Sequence, residues 1–257
     1  MAEFNTWSSE VRLRSRAWGD EIARRAALAR EPRPQGVSGP RAHLLWGELA
    51  SFGMVARRLP RIHPAERPQP VMLLPGFGSH PLRMARMGSA LGLAGHKVRD
   101  WGMGFNLGPT PENFAFLIER IEAQAQETGA PVALVGWSLG GLFAREAAKQ
   151  LPHKVSSVIT LGTPFSGDRH ANNAWRAYQF ITGHSVDAPP IGSDSASKPP
   201  VPTVALWSPR DGVVSPRSAC GRPGERDRAV AMRCAHMGFA NDPSVISEVL
   251  RQLDRKD

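Results

Sequence analysis

A short segment in the middle of the chain has the residue types and spacing that can activate a serine hydroxyl: Gly136-Trp137-Ser138-Leu139-Gly140. The apolar run VALVGW ends just before Ser138 and the helical pattern LGGLFAREAAKQL starts just after it, which puts the serine in a strand-to-helix turn. Glycines on both sides permit a sharp turn, because side chains there would crowd it. The pattern predicts Ser138 as a nucleophile for acyl transfer, with the helix N-terminus favouring the negative charge that develops.

A serine nucleophile needs a base to take its proton, and the base needs an acid to orient it. Asp211 lies in the turn SPRDGVVSP after the strand-like run TVALWS, and His236 lies in RCAHMGFANDP before the last helical pattern. The order Ser138, Asp211, His236 is one of the known chain orders for such a triad. The weaker candidates after the serine lie in an irregular segment or at a helix end: Asp187, Asp194, His153, His170 and His184.

Acyl transfer also needs two backbone N–H groups that stabilise an oxyanion. The amide of Leu139, directly after the nucleophile, is expected to be one of them. The other is expected in the loop Leu74-Pro75-Gly76-Phe77-Gly78, where the glycines let the backbone turn its N–H groups inward. We therefore predict the Phe77 amide as the second donor, with its ring facing the acyl pocket.

Strand-like and helical patterns alternate from residue 70 onward, which predicts an α/β fold with a mostly parallel sheet covered by helices on both faces. The strands are expected in VMLLPG, HKVRDW, PVALVGW, KVSSVITLG, TVALWS and AVAMRCA. Between 163 and 201 the alternation stops, apart from a short helix expected around Trp175 to Ile181. A segment this long without regular structure favours a lid-like insertion over the site.

The first 66 residues form a predicted basic, helical arm, and residues 67–257 form the predicted catalytic domain. Proline and glycine in EPRPQGVSGP divide the arm into two helical stretches. In the second stretch, Leu45, Leu49, Phe52 and Val55 recur at helical spacing, which predicts a face that packs on the domain. Docking of this arm on a membrane surface or a partner is the alternative.

The composition is that of a globular protein of ordinary size. The chain has 257 residues, of which 41% are hydrophobic and 21% are charged, and these two fractions exclude general disorder. Its net charge is +9. Its two cysteines exclude a disulfide-stapled miniature fold, although a single Cys220–Cys234 bridge stays open. No signal-peptide pattern or membrane-length apolar run is present, so a cytoplasmic location is expected. The basic charge favours anionic surfaces, but no nucleic-acid-binding motif accompanies it, and no nucleic-acid partner is expected.

Five segments in this order resemble the α/β-hydrolase superfamily, nearest to its bacterial esterases and lipases: LLPGFG, GWSLGG, LGTPFSG, WSPRDGVV and AHMGF. The resemblance covers about residues 70–255. It implies a hydrolase fold with Ser138 as nucleophile, Asp211 as acid and His236 as base, and with the amides of Phe77 and Leu139 as the oxyanion hole. The chain has Pro75-Gly76 where a His-Gly pair is usual, and the arm matches no pattern of the family.

The expected activity is hydrolysis of a small-molecule or lipid ester through an acyl-enzyme, with no metal or organic cofactor. Trp137, Phe165 and Trp175 are expected to contact an apolar acyl group, although core packing is the rival explanation for each. Two alternatives stay open. One is a thioesterase or acyltransferase with the same triad, and the other is a non-catalytic binding or membrane-docking protein built on the hydrolase fold.

Overall fold

The structure is a computed structural model that describes residues 17–53, 59–192 and 194–255. Its strands are β1 (Pro70–Leu74), β2 (Lys97–Asp100), β3 (Val132–Trp137), β4 (Val155–Leu161), β5 (Thr203–Trp207) and β6 (Arg228–Ala231). Its helices are α1 (17–29), α2 (His43–Gly53), α3 (Ala85–Leu93), α4 (Pro111–Thr128), α5 (Leu139–Gln150), α6 (Trp175–Thr182), α7 (Pro216–Cys220) and α8 (Pro243–Asp254). Two short 3₁₀ segments lie at Pro81–Met84 and His236–Ala240.

The six strands form one sheet in the order β2-β1-β3-β4-β5-β6, and every neighbouring pair is parallel. This confirms the predicted α/β fold. In a parallel sheet all carboxyl ends lie at the same edge, so the loops after β1, β3, β5 and β6 meet there. The strand order reverses between β1 and β3, and a crevice at such a reversal is where open α/β sheets bind ligands.

The core lies on both faces of the sheet because successive side chains of each strand point in opposite directions. In β1, Val71 and Leu73 pack in the cluster that contains α3 and α8, whereas Met72 and Leu74 pack in the cluster that contains α4 and α5. Burying each such side chain contributes about 1.5–3 kcal/mol. A strand covered on both faces has no polar side, which explains the continuous apolar runs in the sequence.

Local signals set the ends of α4. The Thr110 hydroxyl accepts a hydrogen bond from the Asn113 amide, and the Asn113 side chain accepts one from the Thr110 amide. Pro111 occupies the first helical position, where a missing N–H costs nothing. The helix ends at Gly129, whose φ of 68° is the left-handed conformation that favours glycine.

Helix α1 contacts the end of α6. The Arg24 and Arg25 guanidinium groups donate hydrogen bonds to the carbonyls of Gly183 and Ile181, at 3.0 and 2.7 Å. These carbonyls lie at the carboxyl end of α6, where cations are favourable. Two arginines of the basic arm therefore stabilise the insertion. Within the described ranges, no helix combines the length and the apolar character needed to cross a membrane.

The prediction that α2 packs on the domain through the face with Leu45 and Leu49 is wrong. Leu45 and Leu49 are 38% and 68% exposed, whereas Glu48 is only 6% exposed. The side chain of Phe52 and the whole of Val55 lie outside the described residues. The helix turns its carboxylate inward because backbone N–H groups of the loops after β5 and β6 donate hydrogen bonds to it. Those hydrogen bonds compensate the burial of a charged group.

Both cysteines are free thiols, so the Cys220–Cys234 bridge left open by the sequence is absent. Cys234 is buried in the cluster that contains α3 and α8. Burial raises the pKa of its thiol, and the carboxylates of Asp242 and Asp211 raise it further. Cys234 therefore stays protonated and packs as a small apolar side chain.

Candidate active site

Ser138 lies in a strained turn between β3 and α5. Its φ and ψ are 53° and −120°, and within the described ranges it is the one non-glycine residue with a positive φ. Its amide donates a hydrogen bond to the carbonyl of Leu161, at 2.8 Å, which holds the turn against the end of β4. Strain of this kind persists where surrounding contacts over-determine the backbone, and it is typical of a nucleophile on a sharp strand-to-helix turn.

The glycines around Ser138 allow three backbone segments to approach closely. A Cβ on Gly136 would lie 2.5 Å from the Cα of Gly141, and a Cβ on Gly140 would overlap the carbonyl oxygen of Leu74. The first turn of α5 therefore rests directly on the end of β1. This contact brings the turn at Ser138 beside the loop that follows β1.

Asp211 and His236 form a buried, hydrogen-bonded pair. The Nδ1 atom of His236 lies 2.7 Å from Oδ2 of Asp211. His236 is 3% exposed and Asp211 is 0% exposed. Oδ1 of Asp211 accepts hydrogen bonds from the amides of Val213 and Val214, at 2.8 and 2.7 Å. The carboxylate is thus fixed in place, and its contact with Nδ1 orients the imidazole.

The surroundings of His236 favour its charged form. Burial by itself lowers the pKa of the imidazole, but the charge and hydrogen bond of Asp211 and the charge of Glu48 together raise it above its ordinary value. Two neutral rings also lie near the imidazole: Trp137 and Phe239, with centroids 5.9 and 6.3 Å away. The site is therefore built to stabilise an imidazolium.

Glu48 is a second buried carboxylate at this site, and sequence reasoning missed it. Its Oε1 atom accepts hydrogen bonds from the amides of Gly212 and His236, both at 2.7 Å. Its Oε2 atom accepts one from the amide of Met237, at 2.9 Å. A single glutamate in HLLWGELASFG resembles an ordinary solvent-facing position, so the local pattern carries no signal for this role.

The residues expected to form the oxyanion hole lie together at the same edge. Phe77 and Leu139 both line one cavity with Ser138, and Leu139 is the first residue of α5, where amides have no acceptor within the helix. Asn106, which sequence reasoning also missed, is fully buried behind this loop. Its carbonyl accepts from the Gly78 amide at 2.7 Å, and its side-chain nitrogen donates to the Pro75 carbonyl at 2.8 Å. Asn106 therefore fixes the loop after β1.

The cavity beside Ser138 has a volume of about 120 Å³ and a mostly apolar lining. Several apolar side chains line it, including Leu142, Phe143, Trp175, Tyr178, Val186 and Val214. Polar side chains in the lining include Glu146, Arg169 and Asn172. Residues of the 163–201 insertion form one wall, so this insertion borders the site.

Two of the three predicted substrate contacts lie elsewhere. Trp175 lines the cavity, but Trp137 and Phe165 are not among the described residues that do. The Trp137 indole nitrogen donates to the His236 carbonyl at 3.1 Å, and the Phe165 ring lies 4.1 Å from the guanidinium carbon of Arg145. Both rings are almost fully buried. They support the residues around the site through packing, which was the rival explanation for each.

A family model described as the alpha/beta hydrolase fold matches residues 69–181, which contain the loop after β1, the turn at Ser138 and all of α6 except its last residue. The solved structure of a lipase from Bacillus licheniformis in its propeptide form is similar, with a TM-score of 0.57 and 20% identity. That similarity covers 77% of this chain and 52% of the lipase chain.

Two curated relatives share a shorter stretch of sequence. A pimeloyl-[acyl-carrier protein] methyl ester esterase of Edwardsiella ictaluri is 42% identical over 68 residues, 26% of this chain and 25% of that protein. An enzyme of the same name from Aliivibrio salmonicida is 36% identical over 81 residues, 32% of this chain and 29% of that protein. The chain thus matches about a quarter of the length of these relatives.

The chain therefore has the α/β-hydrolase fold.

The titration of His236 tests the electrostatics of the site. We expect a midpoint above about 6.5, the ordinary histidine value, because the two carboxylates retain the imidazole proton to higher pH. Asp211→Asn removes one charge and should lower the midpoint. Histidine side-chain NMR measures both titrations, with His236→Gln identifying the signal. A wild-type midpoint at or below 6.5, or no shift in the variant, would contradict the electrostatic account.

The close approach at Gly140 predicts an intolerance of any side chain. Gly140→Ala should destabilise the protein by about 1–3 kcal/mol, because α5 must move away from β1. Gly92→Ala is the matched control, since this helical glycine has open space around it and alanine there should stabilise by about 0.5–1 kcal/mol. Urea unfolding measures both changes. Equal stability of the two variants would show that the contact is not tight.

Proposed function

We propose that this protein hydrolyses carboxylic esters with apolar acyl groups, by acyl transfer through Ser138. The observation that carries the proposal is the buried Asp211–His236 pair at the sheet edge where the strained Ser138 borders an apolar cavity. A buried acid, an oriented imidazole and a serine on a sharp turn are the parts that acyl transfer requires. No step of this chemistry requires a metal or an organic cofactor.

In the first step, Nε2 of His236 takes the hydroxyl proton of Ser138 as the serine oxygen attacks the ester carbonyl. The negative charge that forms on the carbonyl oxygen is stabilised by the amides of Phe77 and Leu139. The C–O bond to the alcohol then breaks, and His236 returns its proton to the departing alkoxide. Asp211 stabilises the imidazolium that exists between these two transfers.

In the second step, water replaces the alcohol. His236 takes a proton from the water, the hydroxide oxygen attacks the acyl-enzyme carbonyl, and the same two amides stabilise the second oxyanion. The acyl–serine bond breaks, and Ser138 recovers its proton from His236. The products are a carboxylic acid and an alcohol.

The lining of the cavity supports an apolar acyl group. Leu142, Trp175 and Val214 surround the space beside Ser138, and burying each methylene of an acyl chain there contributes about 0.8 kcal/mol. The names of the two curated relatives, both methyl ester esterases, support ester hydrolysis as the reaction class. The acyl group itself is proposed from the cavity alone.

Removing the nucleophile is the direct test of this proposal. Ser138→Ala should lower kcat for a p-nitrophenyl ester by roughly 10⁶-fold, because the base then has no hydroxyl to activate. Ser156→Ala is the control, since that hydroxyl bonds Gln69 near the start of β4 and should not affect the rate. Steady-state kinetics on ester and thioester panels measure the effect and separate the two substrate classes.

A fluorophosphonate probe supplies the outcome that would contradict the proposal. The probe should label wild-type protein at Ser138 and leave Ser138→Ala unlabelled. Folded wild-type protein that resists labelling would support a non-catalytic, binding role for the fold. Turnover of thioesters but not of esters would instead support a thioesterase.

Acyl chain length tests the role of the cavity. In the wild type, kcat/KM should rise by up to about fourfold for each added methylene until the cavity is full. Leu142→Trp places a larger ring in the lining and should shift the preference towards shorter chains. Leu93→Trp adds the same ring at an exposed site on α3 and should leave the preference unchanged. Identical chain-length profiles for all three proteins would exclude this cavity as the acyl site.

A further inference from the structure

The catalytic acid and base lie on two separate loops, and both loops contact one side chain from α2. Asp211 follows β5 and His236 follows β6, so the geometry of the pair depends on how these loops lie relative to each other. Glu48 bonds the amide directly after Asp211, which is that of Gly212, and the amide of His236 itself. The Oε1 atom of Glu48 thus connects the two loops, since it lies 2.7 Å from the amide nitrogen of Gly212 and 2.7 Å from that of His236.

The backbone of α2 is packed tightly against the same place. A Cβ added at Gly212 would lie 2.7 Å from the carbonyl group of Leu44 and 3.0 Å from the Cγ of Glu48. Only a residue without a side chain lets the helix come this close. The sequence Asp211-Gly212 therefore serves the docking of α2 as well as the turn after β5.

The Glu48 carboxylate is too deeply buried to be an incidental contact. It is 6% exposed, and three backbone N–H groups from the two catalytic loops point at its two oxygens. Hydrogen bonds to a charged acceptor are shorter and about twice as strong as neutral ones. They hold the loops only while the carboxylate is present, because a buried amide without an acceptor is costly.

We propose that Glu48 is a positioning residue, which holds the loops of Asp211 and His236 in the geometry that acyl transfer needs. This inference rests on the proposed function. It gives the N-terminal arm a role in catalysis, because α2 belongs to that arm. This helix lies outside the segment that the family model matches. Glu48 acts through the two loops and does not line the cavity.

The role in positioning predicts a specific kinetic signature. Glu48→Gln keeps the size of the side chain but replaces one acceptor oxygen with an NH₂ group, so at least one backbone amide loses its partner. We expect kcat per active site to fall by about 10- to 100-fold, because a small misplacement of the base is costly. KM should change less than twofold, because no residue of α2 is among the described residues that line the cavity.

The pH profile gives a readout that a merely structural role would not change. The described charged groups that act on the His236 imidazole are Asp211, from the loop after β5, and Glu48, from α2. Removing the Glu48 charge should move the acid limb of kcat/KM to lower pH. Glu48→Asp keeps the charge on a shorter side chain, so it should restore the wild-type midpoint while kcat stays reduced.

Asp227→Asn is the matched control for these variants. Its carboxylate also accepts a hydrogen bond from a backbone amide, that of Thr203, but it lies at the opposite end of β5. The variant should have the wild-type kcat and pH midpoint. Titration with a fluorophosphonate probe counts reactive serines, so the kcat of each variant is expressed per folded site even where part of the protein unfolds.

The outcomes separate this proposal from the proposed function. An active wild type, with a Glu48→Gln variant that keeps the wild-type kcat per site and pH midpoint, overturns the positioning role alone. Loss of folded protein without change in these two quantities overturns it as well, since Glu48 would then serve stability only. A wild type that neither turns over esters nor reacts with the probe overturns the proposed function, and the positioning role with it.

Discussion

The hydrogen bond between Asp211 and His236 is the interaction on which the rest of the site depends. A carboxylate and an imidazole that are both almost fully buried are stable only when their remaining polar atoms are also bonded. The amides of Val213 and Val214 bond the carboxylate, and Glu48 bonds the amide of His236. The parallel sheet makes this arrangement possible, because β5 and β6 end side by side and deliver both loops to one edge.

The residues that could be predicted from the sequence are those whose signals are local. Ser138 falls between an apolar strand and a helix, and the pentapeptide around it identifies the turn without any knowledge of the fold. Strands β1, β3 and β5 are visible as nearly continuous apolar runs, because burial on both faces leaves these strands no polar side. The prediction of α6 within the insertion is likewise confirmed, at Trp175–Thr182. Helical periodicity needs only a few residues to be visible.

The residues that could not be predicted depend on contacts between distant parts of the chain. Glu48 lies 188 positions before the His236 amide that it bonds, and nothing near it in sequence distinguishes it from a surface glutamate. The same contact explains why Leu45 and Leu49 are exposed, since the buried carboxylate decides which way α2 faces. The positions of Trp137 and Phe165 also depend on contacts that are distant in sequence. An aromatic side chain near a nucleophile is equally compatible with a cavity wall and with the core, and only the packing distinguishes them.

The central claim is that Ser138 carries the acyl group during turnover, and the most direct measurement is to trap that group chemically. The protein is mixed with an ester whose acyl-serine intermediate is expected to hydrolyse slowly, the reaction is quenched in acid during the first turnover, and the digested protein is analysed by mass spectrometry. We expect the mass of the acyl group on the peptide that contains Ser138, formed before the carboxylic acid is released. Ester cleavage during which that peptide stays unmodified, or during which the acyl group is found on another residue, would contradict the role of Ser138.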